Sequence, residues 1–325
     1  GGRLQMPGPG RPWSCRHRPS GSLQQSRSQE KPNPTCPVGR VLLLTGHYVG
    51  LVPELPEVET VRRQLVPLIV GTRITGCDTH PSSRFRDATL ATGYRIHRIN
   101  RRGKYLLIGL LPVPPADPIP TRELVIHLGM TGGVSVCSSP PNDPYLRACW
   151  SLEDGRYMAF RDIRRFGRLA VVATGEYSLL PTLHRLGPEP SDPSLDGAAF
   201  HSALSSSRRH VKTKLLSQRP IAGVGNIYAD EALWRAGINP AARRVGRARA
   251  TMLLDSIREV LGEALANNGT TLRDYRTPGG ESGRNQDRLD CYGRGGQPCR
   301  SCGETLATRQ LDQRTTTWCR SCQAR

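Results

Sequence analysis

The chain has 325 residues, with 46 Lys and Arg against 27 Asp and Glu, for a net charge of +19. Such an excess argues against an ordinary metabolic enzyme and for a phosphate-backbone partner, DNA or RNA, from which Lys and Arg displace condensed counterions. No apolar run reaches the ~18 residues of a membrane span; the longest, Val41-Leu-Leu-Leu44, ends at Thr45, so no membrane role is expected.

Residues 1–52 differ in kind from the rest of the chain. Residues 1–40 are rich in Pro, Gly, Ser, Gln and Arg without apolar periodicity, a composition that buries too little surface to offset the entropy of ordering. Residues 41–52 are more apolar but lack the charged lead and small-residue cleavage site of a secretory signal. This extension carries +6 of the +19, leaving +13 on residues 53–325.

At Pro53 the pattern changes to Pro53-Glu-Leu-Pro-Glu-Val-Glu-Thr-Val-Arg-Arg-Gln-Leu65. Pro56 suits a helix start, Glu54, Glu57 and Glu59 suit the positive end of its dipole, and Val58, Val61 and Leu65 share a face. Short alternating segments come next at 73–75, 105–108, 124–128, 133–136 and 169–172, which predict a mostly β domain, a sandwich or barrel, over 53–175. Beyond Leu186-Gly-Pro-Glu-Pro190 the period becomes helical over 200–216, 226–236 and 250–267, with Gly269 as a C-terminal stop. Gly223-Val-Gly225 sets a tight turn whose following helix is expected to offer open backbone N–H groups to a phosphate, although a plain helix joint reads equally well.

The tail carries Cys299, Cys302, Cys319 and Cys322, two Cys-x-x-Cys knuckles at the spacing that closes a thiolate tetrahedron around one structural Zn²⁺. Arg294, Arg300, Arg309, Arg314, Arg320 and Arg325 surround them, so the finger is expected to present positive charge to a polyanion, beyond stapling the tail. The other six of the ten cysteines show no pairing pattern, which fits a reducing cytosol. Cys77 and Cys149 read as small core residues. Only Lys31, Lys104, Lys212 and Lys214 are lysines.

These blocks, with Gly103-Lys-Tyr105, His127-Leu-Gly-Met130, Arg164-Arg-Phe-Gly167 and Gly223-Val-Gly-Asn-Ile-Tyr-Ala229, occur in an order that resembles the bacterial formamidopyrimidine-DNA glycosylase family from Pro53 to the end. The resemblance implies an α+β multidomain fold: an N-terminal β-sandwich (53–175), a helix-two-turn-helix domain (176–288) and a zinc finger (289–325). It implies excision of oxidised purines from damaged double-stranded DNA and β,δ-elimination at the abasic site, by a monomer in the bacterial cytoplasm. Pro53 would be the amine nucleophile, Glu54 the proton shuttle and Glu57 its support. Lys104, Asn226 and Arg314 would grip phosphate around the flipped nucleotide, and Met130, Arg164 and Phe166 would fill the void it leaves. Pro53-Glu-Leu-Pro56 and that trio separate the chain from the endonuclease VIII group.

Three positions depart from the family pattern: the loop Gly283-Arg-Asn-Gln-Asp287 lacks an aromatic after its glycine, Tyr145 falls near a frequent histidine, and Ser217 replaces a frequent aspartate. An attached extension would make the Pro53 nitrogen an unreactive amide, leaving a catalytically silent binder of damaged DNA. Val52 reads as a GTG start codon, so residues 1–52 are expected to be translation of upstream DNA.

Overall fold

The computed structural model describes residues 52–113, 121–270, 278 and 283–324. The unordered extension expected over residues 1–52 lies outside these except for Val52. Helix α1 (Leu55–Ile69) buries Val58, Val61, Leu65 and Ile69 on one face, as their spacing predicts. Eight strands come after it: β1 (Ile74–Thr79), β2 (Tyr94–Arg102), β3 (Tyr105–Pro112), β4 (Arg122–His127), β5 (Gly132–Cys137), β6 (Leu146–Leu152), β7 (Tyr157–Asp162) and β8 (Arg168–Ala173). They form two four-stranded antiparallel sheets, ordered β1-β6-β7-β5 and β2-β3-β4-β8. Ile74, Ile96, Ile108, Leu124, Trp150 and Phe160 fill the space between them, joined by the apolar face of α1. This is the expected β-sandwich. Cys149 belongs to a small buried cluster on it, whereas Cys77, expected in the core, is only half-buried on edge strand β1.

Helices α2 (Pro181–His184), α3 (Gly197–Ser205), α4 (Val211–Leu216), α5 (Asn226–Arg235) and α6 (Arg247–Ala266) build the second domain. The single helix expected over 200–216 is two, and the serines explain the break. Ser206 Oγ donates back to the Ala203 carbonyl at 2.8 Å and Ser207 Oγ accepts the Arg209 N–H at 3.2 Å, local bonds that compete with the helical ladder. Helix α6 stops as predicted: Gly269, at φ +81°, donates its N–H to the Ala264 carbonyl at 2.8 Å. Phe200, Tyr228, Leu253, Ile257 and Leu261 form the core of this domain.

The tail folds as a hairpin of β9 (Ala307–Leu311) and β10 (Arg314–Trp318), and α4 and α5 hold it in place. Glu231 accepts the N–H groups of Asp290, Cys291 and Tyr292 at 2.7–2.9 Å. Lys212 and Asp230 form a buried ion pair at 2.7 Å; Lys212 also donates to the Thr315 carbonyl, and Asp230 accepts the Thr317 N–H. Glu189 joins sandwich to helices, accepting Arg101 Nη1 at 2.7 Å, Arg102 Nη1 at 3.1 Å and the Gly103 N–H at 2.7 Å. The position of Lys104, next in the chain, is thereby fixed relative to both domains.

Candidate active site

The start of α1 is docked on the start of α5, and two glycines permit it. The Gly223 carbonyl accepts the Leu55 N–H at 3.1 Å, and a Cβ at Gly223 would lie 2.5 Å from Leu55 Cδ1. At Gly225 a Cβ would lie 2.3 Å from Glu54 Cδ and 2.4 Å from Lys104 Nζ. Into that space comes the Glu54 carboxylate, accepting from the N–H groups of Gly225 at 2.6 Å, Ile227 at 2.8 Å and Tyr228 at 3.4 Å. The amides expected to be open to phosphate are therefore occupied: an internal carboxylate takes the positive end of the α5 dipole. Asn226 is the first helical residue, with Gly225 in the cap position, and its Nδ2 donates to the Thr315 carbonyl at 3.2 Å.

Burial sets the chemistry of this cluster. Glu54 and Glu57 are each 1 % exposed and Lys104 8 %, and Pro53 is buried beside them. Desolvation pushes the Glu54 carboxyl up to about 7; Lys104 opposes the rise and Glu57 adds to it. Glu57 is also raised by burial, although it accepts Tyr228 Oη–H at 2.6 Å and the N–H groups of Thr270 at 2.7 Å and Glu54 at 2.8 Å. Burial lowers Lys104, the two carboxylates resist this, and the Arg314 guanidinium lowers it further. The β2–β3 turn, the N-cap of α1 and the finger hairpin thus bring Lys104, Glu54 and Arg314 into one electrostatic unit. His127 joins it: burial, then Lys104, pulls its imidazole down to about 4, and it packs on Tyr105 with ring centroids 4.7 Å apart. Sequence reasoning found the His127-Leu-Gly-Met130 block but gave a role only to Met130.

The other three expected contact residues lie on two adjoining loops of the sandwich. Met130 is half-buried in the β4–β5 loop, and Arg164 and Phe166 stand exposed in the β7–β8 loop, the Arg164 guanidinium 4.8 Å from the Phe166 ring centroid. Phe166 is 45 % exposed, too open for a core residue. Asp162, wholly buried, clamps both loops by accepting Thr131 Oγ1–H at 2.5 Å and the Gly167 N–H at 2.7 Å. Thr131 Oγ1 in turn accepts the Arg164 N–H at 3.0 Å. Arg165 between them sits at φ +56°, a conformation costing about 1–3 kcal/mol that surrounding contacts must hold.

In the finger, the sulfurs of Cys299, Cys302, Cys319 and Cys322 all lie within 4.8 Å of one another, with Cys299–Cys322 at 3.9 Å and Cys302–Cys319 at 3.4 Å. Four thiolates ~2.3 Å from a common ion would be about 3.8 Å apart, so the group can hold a metal ion. Two of the arginines expected to face a polyanion are engaged internally: Arg294 donates to the Asp290 and Pro298 carbonyls, and Arg300 pairs with Asp290 at 3.0 Å.

Residues 52–169 match the formamidopyrimidine-DNA glycosylase N-terminal domain, and residues 186–276 match the H2TH domain of the same enzymes. The chain belongs to the formamidopyrimidine-DNA glycosylase family. The formamidopyrimidine-DNA glycosylase of Thermus thermophilus is 45 % identical over 276 residues, covering 84 % of this chain and 98 % of the relative. That of Deinococcus radiodurans is 42 % identical over 277 residues, covering 84 % and 97 %. The crystal structure of the MutM (Fpg) protein of Thermus thermophilus superposes with a TM-score of 0.76 at 45 % identity, covering 83 % of this chain and 98 % of that one. Lactococcus lactis Fpg, in complex with DNA containing an abasic site, gives a TM-score of 0.73 at 32 % identity, covering 84 % and 100 %. The departures from the formamidopyrimidine-DNA glycosylase pattern are structurally quiet. Ser217 Oγ donates to the Lys214 carbonyl at 2.6 Å, and Arg161 lies over Tyr145, 5.0 Å from its ring centroid. The foot of the Gly283–Asp287 loop is anchored by buried Asn285, whose Nδ2 donates to Thr270 Oγ1 at 3.0 Å.

Proposed function

We propose that this glycosylase excises oxidised purines from duplex DNA and cleaves the resulting abasic site in base excision repair, with the amine of Pro53 as nucleophile. The observation that carries the reading is Glu54: a buried carboxyl at about 7 next to Pro53, which at neutral pH can both give and take a proton. The Pro53 nitrogen attacks C1′ of the damaged nucleoside and the bond from C1′ to the base breaks; the C1′–O4′ bond then opens with a proton delivered to O4′, and the iminium left on C1′ is the electron sink that lets the two flanking phosphates leave in turn. Glu54 passes protons at the opening sugar, and Glu57 holds the Glu54 backbone through its N–H. The chemistry requires Pro53 to carry a free amine.

Lys104, Arg314 and Asn226 are read as a phosphate grip: Arg314 acts as a like charge on Lys104, a repulsion that a phosphate would relieve, and the Asn226 amide bonds the Thr315 carbonyl next to Arg314. Met130 and Phe166 supply apolar bulk for the vacated stack, and Arg164 supplies donors for the edge of the widowed cytosine. Cys299, Cys302, Cys319 and Cys322 would hold one structural Zn²⁺, which when bound contributes folding free energy to the finger. The enzyme acts as a monomer on damaged double-stranded DNA in the bacterial cytoplasm.

The test is covalent trapping. Protein whose N-terminus is Pro53, verified by N-terminal sequencing, is incubated with a duplex carrying 8-oxoguanine opposite cytosine in the presence of borohydride. A reduced protein–DNA adduct and a nicked strand are expected. Lesion binding without any adduct overturns the enzymatic reading.

A further inference from the structure

Arg314 stands exposed at the tip of the β9–β10 hairpin, and the two residues before it are the unusual ones. Asp312 and Gln313 both occupy the left-handed region, at φ +47° and +63°, as a two-residue hairpin turn requires. Asp tolerates that region, but Gln is not among the residues that favour it, so a turn without glycine needs outside support. Helix α4 supplies it. Thr213 Oγ1 donates to Asp312 Oδ2, and the His210 ring places Nδ1 3.3 Å from the same oxygen. On the far side of Arg314, Lys212 and Asn226 hold the Thr315 carbonyl at 3.0 and 3.2 Å. The exposed arginine is therefore fixed through its backbone on both sides, which lowers the conformational entropy it must lose to grip a ligand.

We propose that Asp312, latched to Thr213 and His210, is a positioning residue that holds Arg314 for its phosphate contact. The proposal rests on the reading of Arg314 as a phosphate ligand. It assigns a role to three side chains, none within the cysteine cluster, that link the helical domain to the finger.

The test measures the dissociation constant of the full chain for a duplex bearing a tetrahydrofuran abasic-site analogue, across several salt concentrations, with far-UV circular dichroism and metal content as controls for folding. Asp312→Ala and Thr213→Val are each expected to weaken binding about tenfold and to lower the slope of log K against log salt by about one, as loss of one phosphate contact does. Asp312→Asn, which keeps an acceptor oxygen and tolerates the turn, is expected to restore most of the affinity. On an Arg314→Ala background Asp312→Ala should have no further effect. An additive loss there, or a loss without change in salt slope, overturns the proposal while leaving the Arg314 reading intact. If Arg314→Ala by itself changes neither affinity nor slope, the Arg314 reading fails and the proposal falls with it.

Discussion

Replacing Glu54 with Gln should flatten the pH dependence of stability, and the size of the effect is set by where the carboxyl sits. Burial raises it from an ordinary 4.5 to about 7 despite its contacts with Lys104 and the α5 amides. At about 1.4 kcal/mol per pH unit, that gap corresponds to about 3 kcal/mol of linkage between proton binding and folding. The direction of the shift gives the sign: the folded protein binds this proton more tightly than the unfolded chain. The stabilisation is complete below pH 4.5 and is lost as pH rises through about 7. Glutamine has no such titration, so the unfolding free energy of Glu54→Gln minus that of wild type should grow by about 3 kcal/mol between pH 4.5 and 8. Urea unfolding at half-unit pH intervals measures it. Parallel curves for the two proteins, or a difference that shrinks with rising pH, would refute the claim that Glu54 is held as a largely desolvated acid.

Lys104→Ala should weaken binding to 8-oxoguanine opposite all four bases and lower the salt slope by about one, whereas Arg164→Ala should cost about 1–3 kcal/mol against cytosine and relax the choice of opposite base; dissociation constants at several salt concentrations separate the two. Cys302→Ser or Cys319→Ser should release the metal and disorder the finger, seen as zinc loss in elemental analysis together with weaker DNA binding. Lys212→Met should destabilise the protein by about 3–5 kcal/mol because it strands the buried Asp230 carboxylate, and Lys212→Met with Asp230→Leu should recover most of that in denaturant titration.

The parts of this fold legible in the sequence are those where one local rule governs. The face of α1 comes from Val58, Val61 and Leu65, the stop of α6 from Gly269, and the finger from the spacing of four cysteines. Strand β2 escaped because a register shift between Ile96 and Arg98 places Ile96 and Ile99, three apart, both in the core, and so erases the two-residue alternation. Strands β6 and β7 bury Trp150, Met158 and Phe160 but have short, arginine-bearing sequences without clean alternation. At the site, Glu54, Glu57 and Lys104 are buried together and Arg314 acts on Lys104, whereas Met130, Arg164 and Phe166 lie on two loops of the sandwich. What no spacing could reveal is that Glu54 lies across the start of α5, since that contact joins positions 171 to 174 residues apart. The open amides read from Gly223-Val-Gly225 were a sound local inference overridden by a distant carboxylate.

That long-range contact makes the cluster a joint as well as a reaction site, and Gly225→Ala tests it. A methyl group at Gly225 would stand 2.3 Å from Glu54 Cδ and 2.4 Å from Lys104 Nζ, closer than real Cβ atoms approach. Lys104 has a flexible stem and can retreat, but Glu54 is held by backbone amides on one side and by its own helix on the other. The strain must therefore separate α1 from α5. Separation exposes Glu54 to water, lowers its carboxyl toward the ordinary range and removes the proton donor at neutral pH, so excision should fall by about 10² or more. Gly262→Ala is the matched control: it lies exposed within α6 with nothing within 4 Å of the added carbon, and should stabilise by up to about 1 kcal/mol without altering excision. Single-turnover rates on 8-oxoguanine opposite cytosine, with both variants prepared to begin at Pro53, give the answer. A Gly225→Ala protein that cuts within threefold of wild type would show that the docking of Glu54 on α5 is architecture alone, and the case for a proton-shuttling carboxyl would lose its structural basis.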